Sequence, residues 1–288
     1  MRNINFQTWD VFTSTPFEGN PLAVVFGAEQ LREDEFQAVA REFNLSETVF
    51  VLPPSNAHTR ARLRIFTPVE ELPFAGHPTI GAAQALAALD GARDPFVLEL
   101  NAGDFALSFD GETASFVNPN SPTTEPAPDQ AADIAQALGI SPDDVVAAPL
   151  IAGAPTPFMM IETSFNAIQS ATPDMGAIAR LNAGEVYPIA RVPGKPDTFR
   201  ARLFAPSLGV PEDPATGSAA CAAPAYFVAS QKLGDGDYGW TVEQGIEMGR
   251  PSAITVESSV RGGVVGKVTI SGAAVQLQKG TMSLPDLS

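Results

Sequence analysis

The chain is short of the residues that hold metals, disulfides and nucleic acids. Among its 288 residues are one cysteine, two histidines and four lysines. A single cysteine excludes an internal disulfide framework, and a reducing cytoplasm is the expected compartment. Two histidines distant in sequence, His58 and His77, together with the lone Cys221 give no zinc spacing. No EF-hand loop is present either, so no metal site is expected. No apolar run reaches the length of a membrane span, and the opening MRNINFQTWDVF lacks the charged-then-apolar order of a signal sequence. No membrane association is therefore expected. Neither a GxGxxG turn nor a Walker lysine loop appears.

Basic charge is scarce as well. Lys and Arg total 17 against 33 Asp and Glu, giving a net charge of −16 and a pI near 4.4. Such a surface repels phosphate backbones, so a nucleic-acid partner is not expected. It also gives no long-range attraction for an acidic substrate, whose charge must be met locally. The acidity itself needs no more than a solubility or salt adaptation. At 44% hydrophobic and 17% charged residues the composition is that of a folded protein, long enough for two domains.

Two stretches read as copies of one unit: RIFTPVEELPFAGHPTIGAAQAL from Arg64, and RLFAPSLGVPEDPATGSAACAAP from Arg202. At an offset of 138 residues, Arg64/Arg202, Phe66/Phe204, Pro68/Pro206, Pro73/Pro211 and Ala82/Ala220 are identical. Each runs from a short apolar strand through a Pro/Gly-rich loop into an Ala-rich helix. A helix N-terminus presents unpaired N–H groups and the positive end of the macrodipole, and so can seat an anion. An old duplication with no remaining use is the plain alternative, but His77, Asp213 and Ser218 are polar types that a structural turn does not require.

Periodicity predicts strands over Asn5–Phe12, Leu22–Phe26, Arg60–Phe66, Pro95–Leu100 and Asp104–Phe109, and an amphipathic helix over Gln30–Phe43. The first motif helix is expected from Pro78 to about Leu89. Pro/Thr/Ser-rich residues 118–129 read as a linker, followed by a short helix over Asp129–Leu138. Pro157–Ile161 echoes Pro21–Val25, and the separate strands AITVESSV, GKVTISG and AAVQLQ close the chain. The domains expected are 1–118 and 129–288, joined by 119–128.

The polar residues each carry two readings. His77, at a helix start, is structural or part of a site; His58 lies in a polar loop and is expected at the surface. Glu47, before the apolar TVFVL, is a solvated flanking carboxylate or a desolvated one poised for proton transfer. Glu70, Glu71 and Glu212 compete with it. Asp213 shapes a turn or faces a ligand, and Thr216 or Ser218 could cap the second helix. Cys221, with no flanking histidine, is expected in the core. Ser218, His77 and Asp213 sketch a hydrolase triad, yet the G-x-S-x-G elbow is missing.

The segments DVFTSTPFEGNPLAVV, NLSETVFV, FTPVEELPFAGHPTIGAA and RLFAPSLGVPEDPATGSAA resemble, in order and over most of the chain, the PhzF-like (phenazine biosynthesis PhzC/PhzF) family. The resemblance implies an α+β, diaminopimelate epimerase-like fold. That fold has two pseudo-symmetric domains, each a curved, mostly antiparallel sheet around a central helix, with the active site in the inter-domain cleft. It also implies that a C-terminal segment near 277–288 packs back on the first domain, and that the protein is a homodimer. By residue, Glu47 matches the family's acid/base glutamate, Gly76 and His77 its Gly-His, Asp213 its aspartate, and Gly217 and Ser218 its Gly-Ser. These surround a small carboxylic acid without metal or organic cofactor. Related racemases place a cysteine at each helix entry; here those positions read FAGHPT and PATGSA, which disfavours a two-thiol mechanism. The expected function is a cofactor-independent isomerase moving a proton within a small carboxylic acid, with Glu47 as general acid/base. The alternatives are an amino-acid or hydroxy-acid epimerase or racemase, and a non-catalytic small-acid binding protein.

Overall fold

The computed structural model describes residues 1–182 and 185–286. The chain divides into two compact units, Met1–Pro119 with Ser271–Ser288, and Asn120–Ile270. No helix among the described residues is long and apolar enough to cross a membrane.

The first unit contains β1 (Arg2–Val11), β2 (Asn20–Phe26), α1 (Glu33–Phe43), β3 (Glu47–Leu52), β4 (Ala61–Phe66), β5 (Glu71–Leu72), α2 (Gly76–Asp90), β6 (Phe96–Leu100), β7 (Gly103–Asp110) and β8 (Thr113–Val117). The second contains β9 (Thr123–Pro126), α3 (Ala131–Leu138), β10 (Val145–Gly153), β11 (Pro157–Thr163), α4 (Phe165–Ser170), α5 (Met175–Ile178), β12 (Val186–Arg191), β13 (Thr198–Ala201), β14 (Leu203–Ala205), β15 (Val210–Asp213), α6 (Gly217–Gln231), β16 (Gly236–Gln244) and β17 (Ser252–Arg261). The last strand, β18 (Val264–Leu284), pairs with β1 from Ala274 to Leu284.

The two units repeat one series of strand pairings. In the first, β1–β2 is antiparallel, β2–β3 parallel, β3–β4 antiparallel, β4–β6 parallel and β6–β7 antiparallel. In the second, β10–β11, β11–β12, β12–β13, β13–β16 and β16–β17 follow the same order of directions. The echo between Pro21–Val25 and Pro157–Ile161 is therefore structural, since β2 and β11 hold equivalent places. A parallel pair needs a crossover, and α2 and α6 supply the second crossover of each unit.

Those crossovers are the buried axes of the units. α2 packs against β1, β2, β3 and β8, and α6 against β9, β10, β11 and β17. Every residue from Gly76 to Leu86 is buried, which explains why this Ala-rich helix shows no polar face. Small residues let the strands approach closely: a Cβ at Gly81 would lie 2.4 Å from Leu22 Cδ2 and 2.8 Å from Val11 Cγ2.

Several sequence expectations shift. α1 starts at Glu33 rather than Gln30, because the Arg32 N–H donates to Glu35 Oε2 at 2.8 Å and fixes the first turn there. α2 starts at Gly76, two residues before Pro78, and the first turn tolerates the missing N–H. Thr123–Pro126, inside the expected linker, is a strand paired with β10. The expected strands GKVTISG and AAVQLQ are one continuous strand. Gly272 is not a break in it but a close approach, its would-be Cβ 2.3 Å from the Phe12 ring.

The constant 138-residue offset also breaks inside the motif. Arg64 grips Glu71 through two hydrogen bonds of 2.8 and 2.6 Å, and Arg202 grips Glu212 through two of 2.8 and 3.0 Å. The partners are 7 and 10 residues apart respectively, so the second copy carries three extra residues in its hairpin. Beyond that point Gly76 aligns with Gly217 and His77 with Ser218, at the head of two 15-residue helices. The identities Pro73/Pro211 and Ala82/Ala220 are not equivalent positions.

Candidate active site

In the first unit, parallel β2 and β3 bring Asn20 and Glu47 to the same end, with Leu22 opposite Glu47. The head of α2 adds His77. The imidazole is 3% exposed and the Glu47 side chain 14%, with Nε2 of His77 3.4 Å from Glu47 Oε2. The pair falls short of a hydrogen bond, and His77 Nε2 is a buried nitrogen with no hydrogen-bond partner among the described residues. On the opposite side of the ring, Nδ1 is 3.2 Å from the Asn20 amide nitrogen. Burial lowers the imidazole pKa to about 3, so His77 is neutral at ordinary pH. Ala75 occupies the N-cap of α2 and supplies no side-chain cap, which leaves the first N–H groups, those of Gly76 and His77, facing outward from the helix.

In the second unit, Asp213 ends β15 and Thr216 is the N-cap residue of α6, preceding Gly217 and Ser218. Neither Thr216 nor Ser218 caps the helix with its side chain. The Thr216 hydroxyl donates to Asp213 Oδ2 at 2.6 Å instead. Gln244, wholly buried at the end of β16, ties this corner together. Its amide nitrogen donates to Asp213 O at 2.8 Å and to Thr216 Oγ1 at 2.9 Å. Its oxygen accepts from the Thr216 N–H and the Tyr187 hydroxyl, both at 3.2 Å. Burial first, and the Asp213 charge second, push the Tyr187 hydroxyl above the usual phenol range, so it stays a donor.

The structure thus brings Glu47, Gly76 and His77 together at one helix head, and Asp213, Gly217 and Ser218 at the other. The competing carboxylates are otherwise engaged: Glu71 and Glu212 form the two arginine forks, and Glu70 is exposed. Hydrogen bonds from Arg64 hold the Glu71 carboxyl below the usual range. His58 is 67% exposed, its Nε2 2.8 Å from Asp104 Oδ2. Cys221 is fully buried. Among the described residues no group of three or more His, Cys, Asp or Glu side chains is arranged to hold a metal ion.

Asn20, Ser46 and Gln244 were not singled out by the sequence. Gln244 had a signal, since Trp240, Val242 and Gln244 alternate onto the buried face of β16. Asn20 had a weaker one, a lone amide opening the apolar run LAVVF.

These features define an α+β protein of two repeated units, each a mostly antiparallel sheet around a buried helix whose uncapped head carries polar side chains. Residues 9–280 match the family described as phenazine biosynthesis-like protein, PhzC-PhzF. The chain is 37% identical to an uncharacterized isomerase of Mesorhizobium japonicum, over 98% of this chain and 99% of that one. It is 36% identical to the trans-2,3-dihydro-3-hydroxyanthranilate isomerase of Pseudomonas fluorescens, over 97% and 99%. The crystal structure of a PhzF-family phenazine biosynthesis protein from Bacillus anthracis superposes with a TM-score of 0.89 at 24% identity, covering 99% of this chain and all of that one. The chain belongs to the PhzC/PhzF family, and it is an isomerase.

Proposed function

We propose that the protein is a cofactor-independent isomerase that moves a proton between two carbons of a small carboxylic acid. Glu47 takes the proton from an activated C–H, the electron pair spreads into the conjugated system and its carboxylate, and Glu47 returns the proton to a second carbon. Atoms and charge balance without oxidant or co-reactant. Each helix head, Gly76–His77 in the first unit and Gly217–Ser218 in the second, offers backbone N–H groups that can seat a carboxylate and the charge that develops on it. His77 and Asp213 orient the substrate and assist its proton transfers.

The observation that carries this reading is the His77 imidazole 3.4 Å from the Glu47 carboxylate, beside a helix head with no side-chain cap. Catalytic hydrogen bonds are often long before substrate binds. The name of the Pseudomonas fluorescens relative supports the substrate class, because its substrate is an unsaturated cyclic amino acid with a carboxylate.

The test incubates the protein in deuterated water with trans-2,3-dihydro-3-hydroxyanthranilate, then with a panel of small carboxylic acids, and reads label position by NMR. Label at a new carbon, or internal transfer with a shifted double bond, supports the isomerase. Label at the starting carbon with inversion would assign an epimerase instead. Glu47→Gln is expected to lose about 10²- to 10⁴-fold in turnover; a variant with full turnover would remove Glu47 from the role. Absence of exchange with every acid, alongside unchanged ligand affinity in Glu47→Gln, would leave only a binding protein.

A further inference from the structure

The first site contains a hydrogen-bond chain that none of its expected roles explains. Asn20 is 0% exposed, although it opens a strand of otherwise apolar residues. Its side-chain oxygen accepts from the Ser46 hydroxyl at 3.0 Å, and its amide nitrogen sits 3.2 Å from His77 Nδ1. Ser46 is the immediate neighbour of Glu47, so the path leaves and re-enters the site: hydrogen bonds link Ser46, Asn20 and His77, and the 3.4 Å contact of His77 returns to Glu47.

A neutral imidazole has one N–H donor and one lone-pair acceptor, and its partners decide which nitrogen is which. An amide NH2 can only donate. With the Asn20 oxygen engaged by Ser46, the NH2 faces His77 and requires a lone pair on Nδ1. The proton then resides on Nε2. The other end of the ring agrees with that assignment, since Nε2 faces the Glu47 carboxylate, an acceptor. A lone pair there would meet the lone pairs of the carboxylate at 3.4 Å.

We propose that Asn20, anchored by Ser46, is a positioning residue that fixes His77 as the tautomer protonated at Nε2. In that form His77 donates to Glu47 or to a substrate oxygen, and does not serve as a base. Proton removal from carbon is left to Glu47 alone, so the inference rests on and deepens the isomerase reading. It differs from a generic structural role because it predicts the position of one hydrogen.

The experiment uses the full-length protein with ¹⁵N-labelled histidine in a His58→Gln background, so that the His77 imidazole is the single ring observed. In the parent, Nε2 is expected to carry the proton and Nδ1 to be unprotonated at neutral pH. Asn20→Asp replaces the donor by an acceptor. It is expected to draw a proton onto Nδ1, changing the ¹⁵N signature and lowering turnover by about 10²-fold. Ser46→Ala frees the amide to rotate and is the milder test if Asn20→Asp folds poorly, as read by thermal unfolding. Its expected signature is a mixture of tautomers with a smaller loss of turnover. Protonation of Nδ1 in the parent would overturn the proposal, as would a folded Asn20→Asp or Ser46→Ala variant with an unchanged signature. The ¹⁵N readout needs no substrate, so failure of every acid to exchange would sink the isomerase reading while leaving the tautomer directly measured.

Discussion

The hydroxyl of Thr216 donates to Asp213 Oδ2 at 2.6 Å rather than capping the helix that it opens. A threonine before a helix ordinarily satisfies one of the first N–H groups. Here the hydroxyl is spent on orienting a carboxylate, and the same oxygen accepts from the Gln244 amide at 2.9 Å. The first N–H groups of α6 are therefore left without a side-chain cap, at the positive end of the helix dipole.

Thr216→Val keeps the shape and removes both hydrogen bonds. Because Asp213 and Gln244 are buried, the stability loss is expected to be about 1–3 kcal/mol in urea unfolding. Turnover should fall by roughly tenfold or more as Asp213 loses its orientation. Thr216→Ser retains the hydroxyl and is expected to recover most of both. Equal turnover in Thr216→Val and the parent would detach Asp213 from the reaction.

How much of this was legible in the sequence follows from what kind of contact each residue makes. His77 and Ser218 stand at helix starts, marked by Gly, Pro and a run of alanines, and local signals suffice there. Asn20 and Gln244, at strand ends, reach partners at helix heads 57 and 28 residues away in sequence. No local period reports such a contact. The three-residue difference between the arginine forks was hidden for the same reason: chance identities at Pro73/Pro211 and Ala82/Ala220 held a false register across an insertion. Glu47 was legible only as one of two readings, because its burial depends on how β2 and β3 align.

The depressed pKa of His77 makes a prediction about acid stability. The unfolded chain binds a proton near pH 6.5, whereas burial lowers the folded value to about 3. The stabilisation is complete above pH 6.5 and is lost as pH falls from there toward 3, with a slope of up to about 1.4 kcal/mol per pH unit. His77→Gln has no such proton to take up. Urea unfolding at pH 7 and pH 5 should show the parent losing on the order of 2 kcal/mol more than the variant. A parallel decline in the two proteins would mean that the imidazole is protonated in the fold.

Cys221 lies one turn inside α6 and is fully buried. A thiol-based racemase would depend on it, whereas a carboxylate-based isomerase would not. Cys221→Ala is expected to keep turnover within about twofold and to cost about 1 kcal/mol of packing. The thiol should react with a disulfide reagent only on unfolding. Loss of turnover by 10²-fold or more in a fully folded variant would restore the thiol mechanism.

The close approach of α2 to its sheet gives the last prediction. Gly81→Ala would set a methyl group 2.4 Å from Leu22 Cδ2 and 2.8 Å from Val11 Cγ2, inside a region with no free space. Alanine improves the helix by about 1 kcal/mol over glycine, but overpacking costs about 1–3 kcal/mol. Both contacted side chains are fully buried, so the clash should win, with a net loss on the order of 1–2 kcal/mol. Leu22 pairs directly with Glu47, so a displaced Leu22 also moves the carboxylate away from His77. Turnover should therefore fall more than stability alone explains, while the protein remains folded at 25 °C. Adding Leu22→Val shortens the obstructing side chain and should return part of both losses, a coupling of about 0.5–3 kcal/mol in a double-mutant cycle. Strict additivity of the two substitutions would show that the α2–β2 contact does not set the position of Glu47.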